Sequence, residues 1–276
     1  MNTIKGVVMK VKSFKSAIII FATLVFFLIP NYLLADVTPE IKGLGIDSPK
    51  QVLFIGNSYL YYGDSLHNHV VRMAKAADKE NAKAYSYKSA TISGAYLWHH
   101  HIENYLQPGA LGLKAPFDVV ILQGHSTSQT TPEKHESFAN KVAEFNEQIK
   151  KSGAKTALFM TWAYTKKHKK YNPQMLEMNR KGYLEVGNKI GALVIPAGLA
   201  FEEAYKRQPG IKLQKDYDGS HPDLIGTYLA ACVTYAALYH KSPVGNPYTY
   251  YGAIDADTAK FLQTVAWDTV KSFYGW

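Results

Sequence analysis

Short, continuously apolar runs recur along this chain, and between them apolar residues return every three or four positions. Val52-Leu53-Phe54-Ile55 is too short for a helix, and its unbroken apolarity suits an interior strand of a sheet covered on both faces. Phe117–Gln123, Thr156–Trp162 and Ala192–Pro196 read the same way, and Ala82–Ala90 alternates as a further strand would. Helical spacing runs over Ser65–Lys79, where Leu66, Val70, Met73, Ala74 and Ala77 share a stripe, and over Lys134–Lys151 and Pro173–Ile190. It returns over Leu199–Arg207, Pro222–His240 and Asp255–Phe273, and Gly94 opens a segment, Ala95–Leu106, that is predicted helical. Strands alternating with helices predict an α/β fold: one domain, a three-layer α/β/α sandwich around a mainly parallel sheet. No internal repeat or low-complexity linker interrupts it.

One apolar run does not fit this alternation. Ala17–Ile29 follows Lys5, Lys10, Lys12 and Lys15, stops at Pro30, and is followed by a small residue, Ala35, ahead of Asp36. A basic segment, an apolar segment and a small residue before a cut describe a secretory signal peptide. The run is short for a span of about 20 residues, which disfavours an uncleaved anchor. The expected organisation is therefore a signal peptide at 1–35, a lead-in at 36–50 and the folded domain at 51–276, exported to the periplasm or beyond and free of the membrane after cleavage near Ala35. The formal charge of +9 falls to +5 in the mature chain, because residues 1–35 carry four lysines and no acid. The remaining charge is diffuse. Arginine occurs only at Arg72, Arg180 and Arg207, and lysine lacks the fork that reads phosphate, so no nucleic-acid partner is expected. The dense patch Lys166–Lys170 reads as a solvated loop. Cys232 is the lone cysteine, so there is no internal disulfide; its apolar surroundings mark it as a core residue.

Candidate chemistry sits where the apolar runs end. In "VLFIGNSYL", the first strand stops at Gly56-Asn57-Ser58, which puts Ser58 in a strand-to-helix turn, where open α/β sheets bind ligands. Much later, "DYDGSHPDLIG" places Asp218 three residues before His221, close enough in a loop for the carboxylate to reach the imidazole. Pro222 suits the first position of a following helix. A serine, a histidine and an aspartate that orients it are the parts of nucleophilic acyl transfer.

Taken together, "FIGNS", "ISGAYL", "VVILQGHS" and "DGSHP" occur in an order and spacing that resemble the SGNH hydrolases, also called GDSL esterases and lipases. The resemblance covers about Gln51 to His240 and implies an SGNH/flavodoxin-like α/β sandwich. It implies Ser58 as nucleophile, His221 as base and Asp218 as its partner, with the backbone N–H groups of Ser58 and Gly94 in the oxyanion hole. The aspartate that the family places before its serine is Asn57 here. The third block departs further: counting from Gly124, Ser126 stands where the family has an asparagine donor. Gln123, an amide ending an apolar run, is the preferred substitute, and Ser126 the second choice. The resemblance implies ester hydrolysis with no metal or organic cofactor, on a small-molecule or glycan ester. For an exported member, O-acetyl groups of carbohydrate or cell-wall glycan are the expected substrate. A lipase or thioesterase, or a non-catalytic glycan-binding module, is the alternative.

The remaining histidines and aromatics are less specific. Adjacent His99, His100 and His101 point in different directions on any helix, so a metal site is disfavoured; one of them is expected to line the cleft. His67 and His69 are read as helix surface, and no role is assigned to His125 or His135. Tyr59, Tyr61, Tyr62, Trp98 and Trp162 are expected to put aromatic surface around the site, though several could equally be core.

Overall fold

The computed structural model describes residues 37–276. The expected signal peptide lies outside the described residues. Five strands, β1 (Gln51–Gly56), β2 (Ser86–Thr91), β3 (Val119–Leu122), β4 (Lys155–Phe159) and β5 (Leu193–Ile195), form one sheet in the order β2-β1-β3-β4-β5. Every pairing is parallel, with Val52 opposite both Tyr87 and Val119. The helices are α1 (Ser58–Tyr61), α2 (Leu66–Ala77), α3 (Ile102–Tyr105), α4 (Pro132–Lys151), α5 (Met175–Ile190), α6 (Ala197–Arg207), α7 (Leu224–Tyr239) and α8 (Ala256–Tyr274).

The unbroken apolar runs divide their side chains between two cores, because successive strand residues face opposite sides of a sheet. Val52, Phe54, Val119, Ile121, Ala157 and Phe159 pack with residues of α2, α6, α7 and α8. Leu53, Ile55, Val120, Leu122 and Leu158 pack with α4 and α5 on the other face. Helix α7 is apolar all round and is buried along nearly its whole length against the sheet and its neighbouring helices, with Cys232 fully buried in it.

The predicted pattern and the observed elements differ in three places. Ala95–Leu106 is not one helix: a single 3-10 turn at Leu97–His99 and the short α3 flank His100 and His101. The segment lacks a continuous apolar stripe; Leu97 and Ile102 bury themselves, and His100 turns inward to bond the carbonyl of Gly56 at 2.9 Å. The alternation at Ala82–Ala90 resolves into a 3-10 turn at Ala82–Ala84 followed by β2. Pro222 does not open a helix. Asp223 is the N-cap of α7, its side chain accepting from Leu224 N–H, while Pro222 sits in an isolated antiparallel bridge with Gln214.

The strand order reverses between β1 and β3, one strand running to β2 and the other towards β5. In such sheets that reversal opens a crevice at the strands' carboxyl ends. The loops that leave β1, β2 and β3 there carry Ser58, Gly94 and His125.

Candidate active site

Gly56 ends β1 for lack of room rather than for an unusual backbone: a Cβ there would lie 2.3 Å from Oε1 of Gln123. The next residue turns the chain. The Asn57 side chain accepts from Tyr59 N–H at 3.1 Å, capping the single turn of α1, and donates to the Ala95 carbonyl at 2.9 Å. One amide thus ties the Ser58 turn to the loop that holds Gly94. Gly94 has φ +65°, a conformation that favours glycine, with open space where a side chain would be. Among the described residues, the N–H groups of Ser58 and Gly94 donate to no protein acceptor. Both line one small cleft of about 250 Å³ with His221.

The histidine arrives from the opposite end of the chain on a loop held from several sides. Gly219 N–H bonds Lys215 O at 2.8 Å, and Lys215 N–H bonds His221 O at 2.8 Å. The Gly219 carbonyl accepts from Thr165 N–H at 2.9 Å and from Gln214 Nε2 at 3.0 Å. Trp162 Nε1 donates to Ser220 O at 2.9 Å, its ring sandwiched between Tyr59 and Phe201. This brings Ser58, His221 and Asp218 together across 160 residues of sequence: His221 Nε2 lies 2.8 Å from Ser58 Oγ, and His221 Nδ1 lies 2.6 Å from Asp218 Oδ2. A carboxylate can only accept, so Nδ1 carries the proton and Nε2 presents a lone pair to the serine hydroxyl. Oδ1 of Asp218 accepts from the N–H groups of Ser220 and His221. Burial pushes the Asp218 carboxyl up, but its bonds to His221 and to those two N–H groups outweigh this and hold it below its usual range. Tyr62 stacks on the imidazole at 4.3 Å between centroids, and Tyr59 meets its edge.

The expectation for Gln123 is corrected. Its side chain is buried behind the turn: Oε1 accepts from Asn57 N–H at 2.9 Å, and Nε2 donates to Gly124 O. Both ends of the amide are tied to the backbone, and the buried side chain is not among those lining the cleft with Ser58 and Gly94. Ser126 does line the cleft, with its hydroxyl 2.8 Å from that of Tyr164. His69 is not a surface residue but fully buried, between the Gly63 carbonyl and the Tyr248 hydroxyl. None of the three adjacent histidines lines the cleft; His125 does. Among the described residues, no group of three or more His, Cys, Asp or Glu side chains is placed to hold a metal ion. Of the aromatics, Tyr59 and Tyr62 touch His221, Trp162 is core, and Trp98 is half exposed.

A second serine deserves comparison with Ser58. Gly63-Asp64-Ser65-Leu66 spells out the GDSL string itself. Its serine is nevertheless not among the residues lining the cleft with His221: Ser65 Oγ bonds the Tyr61 carbonyl, and Asp64 pairs with Arg72. The residues that sequence reading did not single out are those that hold the loops: Gln214, Ser220 and Tyr164. No motif marks them, because their contacts join segments distant in sequence.

No family model matches the chain, and no curated protein matches it. Solved structures do. The chain is similar to a DUF4886 family protein from Bacteroides uniformis, with TM-score 0.61 and 20% identity over 80% of this chain and 94% of that one. It is similar to a putative SGNH hydrolase from Slackia heliotrinireducens, with TM-score 0.53 and 20% identity over 68% and 97% of the two chains. An acetyl xylan esterase matches with TM-score 0.52 and 20% identity over 68% and 98%. The fold is that of the SGNH and GDSL hydrolases.

Proposed function

We propose that this protein is an exported serine esterase that removes short acyl groups, with O-acetyl groups of carbohydrate as its substrate class. The observation that carries the reading is the unbroken relay Ser58 Oγ, His221 Nε2 and Nδ1, Asp218 Oδ2, with contacts of 2.8 and 2.6 Å, opening on two unpartnered N–H groups. His221 takes the hydroxyl proton as Ser58 Oγ adds to the ester carbonyl, and Asp218 stabilises the imidazolium that forms. The N–H groups of Ser58 and Gly94 receive the developing oxyanion. His221 then protonates the leaving alcohol, and water, activated the same way, releases the acid. The small cleft favours a short acyl group, and the acetyl xylan esterase among the structural neighbours supports the substrate class. The basic and apolar pattern ahead of Asp36 supports export.

A fluorophosphonate probe followed by peptide mapping tests the reading. The adduct is expected on Ser58; Ser58→Ala should abolish both labelling and hydrolysis of p-nitrophenyl acetate, whereas Ser65→Ala should retain them. Turnover should fall along a series of lengthening acyl chains. An adduct on Ser65 would reject the assignment, and a protein that neither labels nor turns over would leave only the binding-module alternative.

A further inference from the structure

The loop after β3 lacks the amide that would complete the oxyanion hole, and it holds a donor of another kind. His125 lines the cleft with Ser58 and Gly94. The backbone N–H of Thr127 points at its Nδ1, 3.1 Å away. A backbone N–H can only donate, so Nδ1 bears the lone pair and the neutral ring carries its proton on Nε2. The Thr127 hydroxyl, 2.9 Å from the same nitrogen, donates to it as well, and the Tyr96 hydroxyl lies 3.3 Å from that hydroxyl. The ring is also fixed in orientation. It stacks on Tyr96 at 4.2 Å and 13°, and Tyr96 stacks in turn on Trp98 at 4.2 Å and 12°. Among the described residues, Nε2 of His125 has no protein partner. The rival donors are each held by a protein partner: the Gln123 amide, buried away from the cleft, by the Gly124 carbonyl, the Asn57 amide by the Ala95 carbonyl, and the Ser126 hydroxyl by that of Tyr164.

We propose that His125 is the third oxyanion donor, its Nε2–H joining the N–H groups of Ser58 and Gly94 around the carbonyl oxygen of the ester. This rests on the esterase reading above. As the Ser58 Oγ–carbon bond forms, the carbonyl π pair moves onto that oxygen and the serine proton passes to His221. When the oxyanion collapses, the pair returns, the bond to the alcohol oxygen breaks, and His221 gives its proton to the alcohol. His125 keeps its own proton throughout and contributes only a hydrogen bond. Burial, aided by Lys134 and Lys170, pushes its ring down to about 4, so it remains a neutral donor across the range in which His221 must act as a base. A neutral imidazole whose donor nitrogen is set by the bond at the other gives this hydrogen bond without exchanging a proton.

The test is steady-state hydrolysis of p-nitrophenyl acetate by wild type, His125→Ala, His125→Gln and Ser126→Ala, with thermal melts and fluorophosphonate labelling of each. Losing one such donor costs about 10²–10³ in kcat, so His125→Ala should fall by that factor with little change in KM. His125→Gln, whose amide nitrogen can reach the place of Nε2, should recover a large part of it. Ser126→Ala should cost less than His125→Ala. A kcat for His125→Ala near wild type would overturn the proposal, as would a His125→Gln variant no faster than the alanine, or a larger loss at Ser126. Those results leave wild-type labelling at Ser58 intact, and so leave the esterase reading standing. A wild type that neither labels at Ser58 nor turns over would bring down both.

Discussion

Asp218 uses its two oxygens for different tasks. Oδ1 is held by two backbone N–H groups of its own loop, and Oδ2 faces His221 Nδ1. In Asp218→Asn, the backbone donors retain the amide oxygen on their side, which turns the NH₂ towards Nδ1. The imidazole must then accept there and carry its proton on Nε2, where it cannot take one from Ser58. We expect kcat to fall by about 10⁴ in Asp218→Asn and by about 10⁶ in His221→Ala, where the base itself is gone. Both variants should melt cooperatively. Wild-type turnover in His221→Ala would move the base to another histidine.

At the scale of elements, the site depends on how closely three loops approach one another. The loop bearing His221 passes the segment after β4 so tightly that a Cβ on Gly219 would lie 2.3 Å from Oγ1 of Thr165, at a φ of +63° that disfavours any other residue. Gly219→Ala combines a left-handed cost of about 1–2 kcal/mol with a 3.1 Å approach to the backbone nitrogen of His168, which remains even if Thr165 rotates its hydroxyl away and which movement of the loop relieves. Moving that loop displaces Asp218 and His221 from Ser58. The variant should therefore lose activity by at least about tenfold beyond what its lowered melting temperature explains, since small misplacements of reacting groups are costly. Full kcat in a folded Gly219→Ala protein would show that the loop tolerates the shift. No pattern of polar and apolar residues announces this constraint. In the sequence Gly219 is one more glycine in a loop, and its need arises only when Thr165, far along the chain, is packed against it.

The whole molecule carries its buried histidines as a shared sensitivity to acid. Burial lowers His67 and His125 to about 4, and lowers His69 and His100 as well. In the unfolded chain each takes a proton near 6.5; in the folded chain all four lose it more readily, and His67 and His125 stay neutral down to about 4. Between those values the unfolded state binds more protons, so stability falls as the pH drops from about 6.5 towards 4. Asp218 and Asp223, whose carboxyls are held below their usual range, work on the acid side of the same window. The stability they add is present above the unfolded carboxylate value and lost as pH falls through the folded one. Thermal melts at steps from pH 7.5 to 4 should show the midpoint falling through this interval. His67→Gln should flatten part of the slope, and a midpoint unchanged down to about pH 4.5 would contradict the account.

The strands, most of the helices and the serine, histidine and aspartate were legible in the residues alone, because each rests on local information. A strand buried on both faces must be continuously apolar, an amphipathic helix must repeat its apolar stripe, and acyl transfer needs particular side chains at particular ends of them. The side chain proposed as third oxyanion donor was not legible, since Gln123 and His125 stand two residues apart at the end of β3. Which of them faces the cleft depends on Asn57 claiming the one and Thr127 and Tyr96 orienting the other. His69 and the broken segment between Gly94 and Leu106 escaped for the same reason: a histidine reads as polar until the structure supplies buried carbonyl partners for it. The sequence by itself determined the layers and the order along the chain of the serine, aspartate and histidine that the fold brings together. Tertiary structure alone decided which polar groups were spent on holding the loops and which were left free for a substrate, because a hydrogen bond between distant segments leaves no periodicity behind.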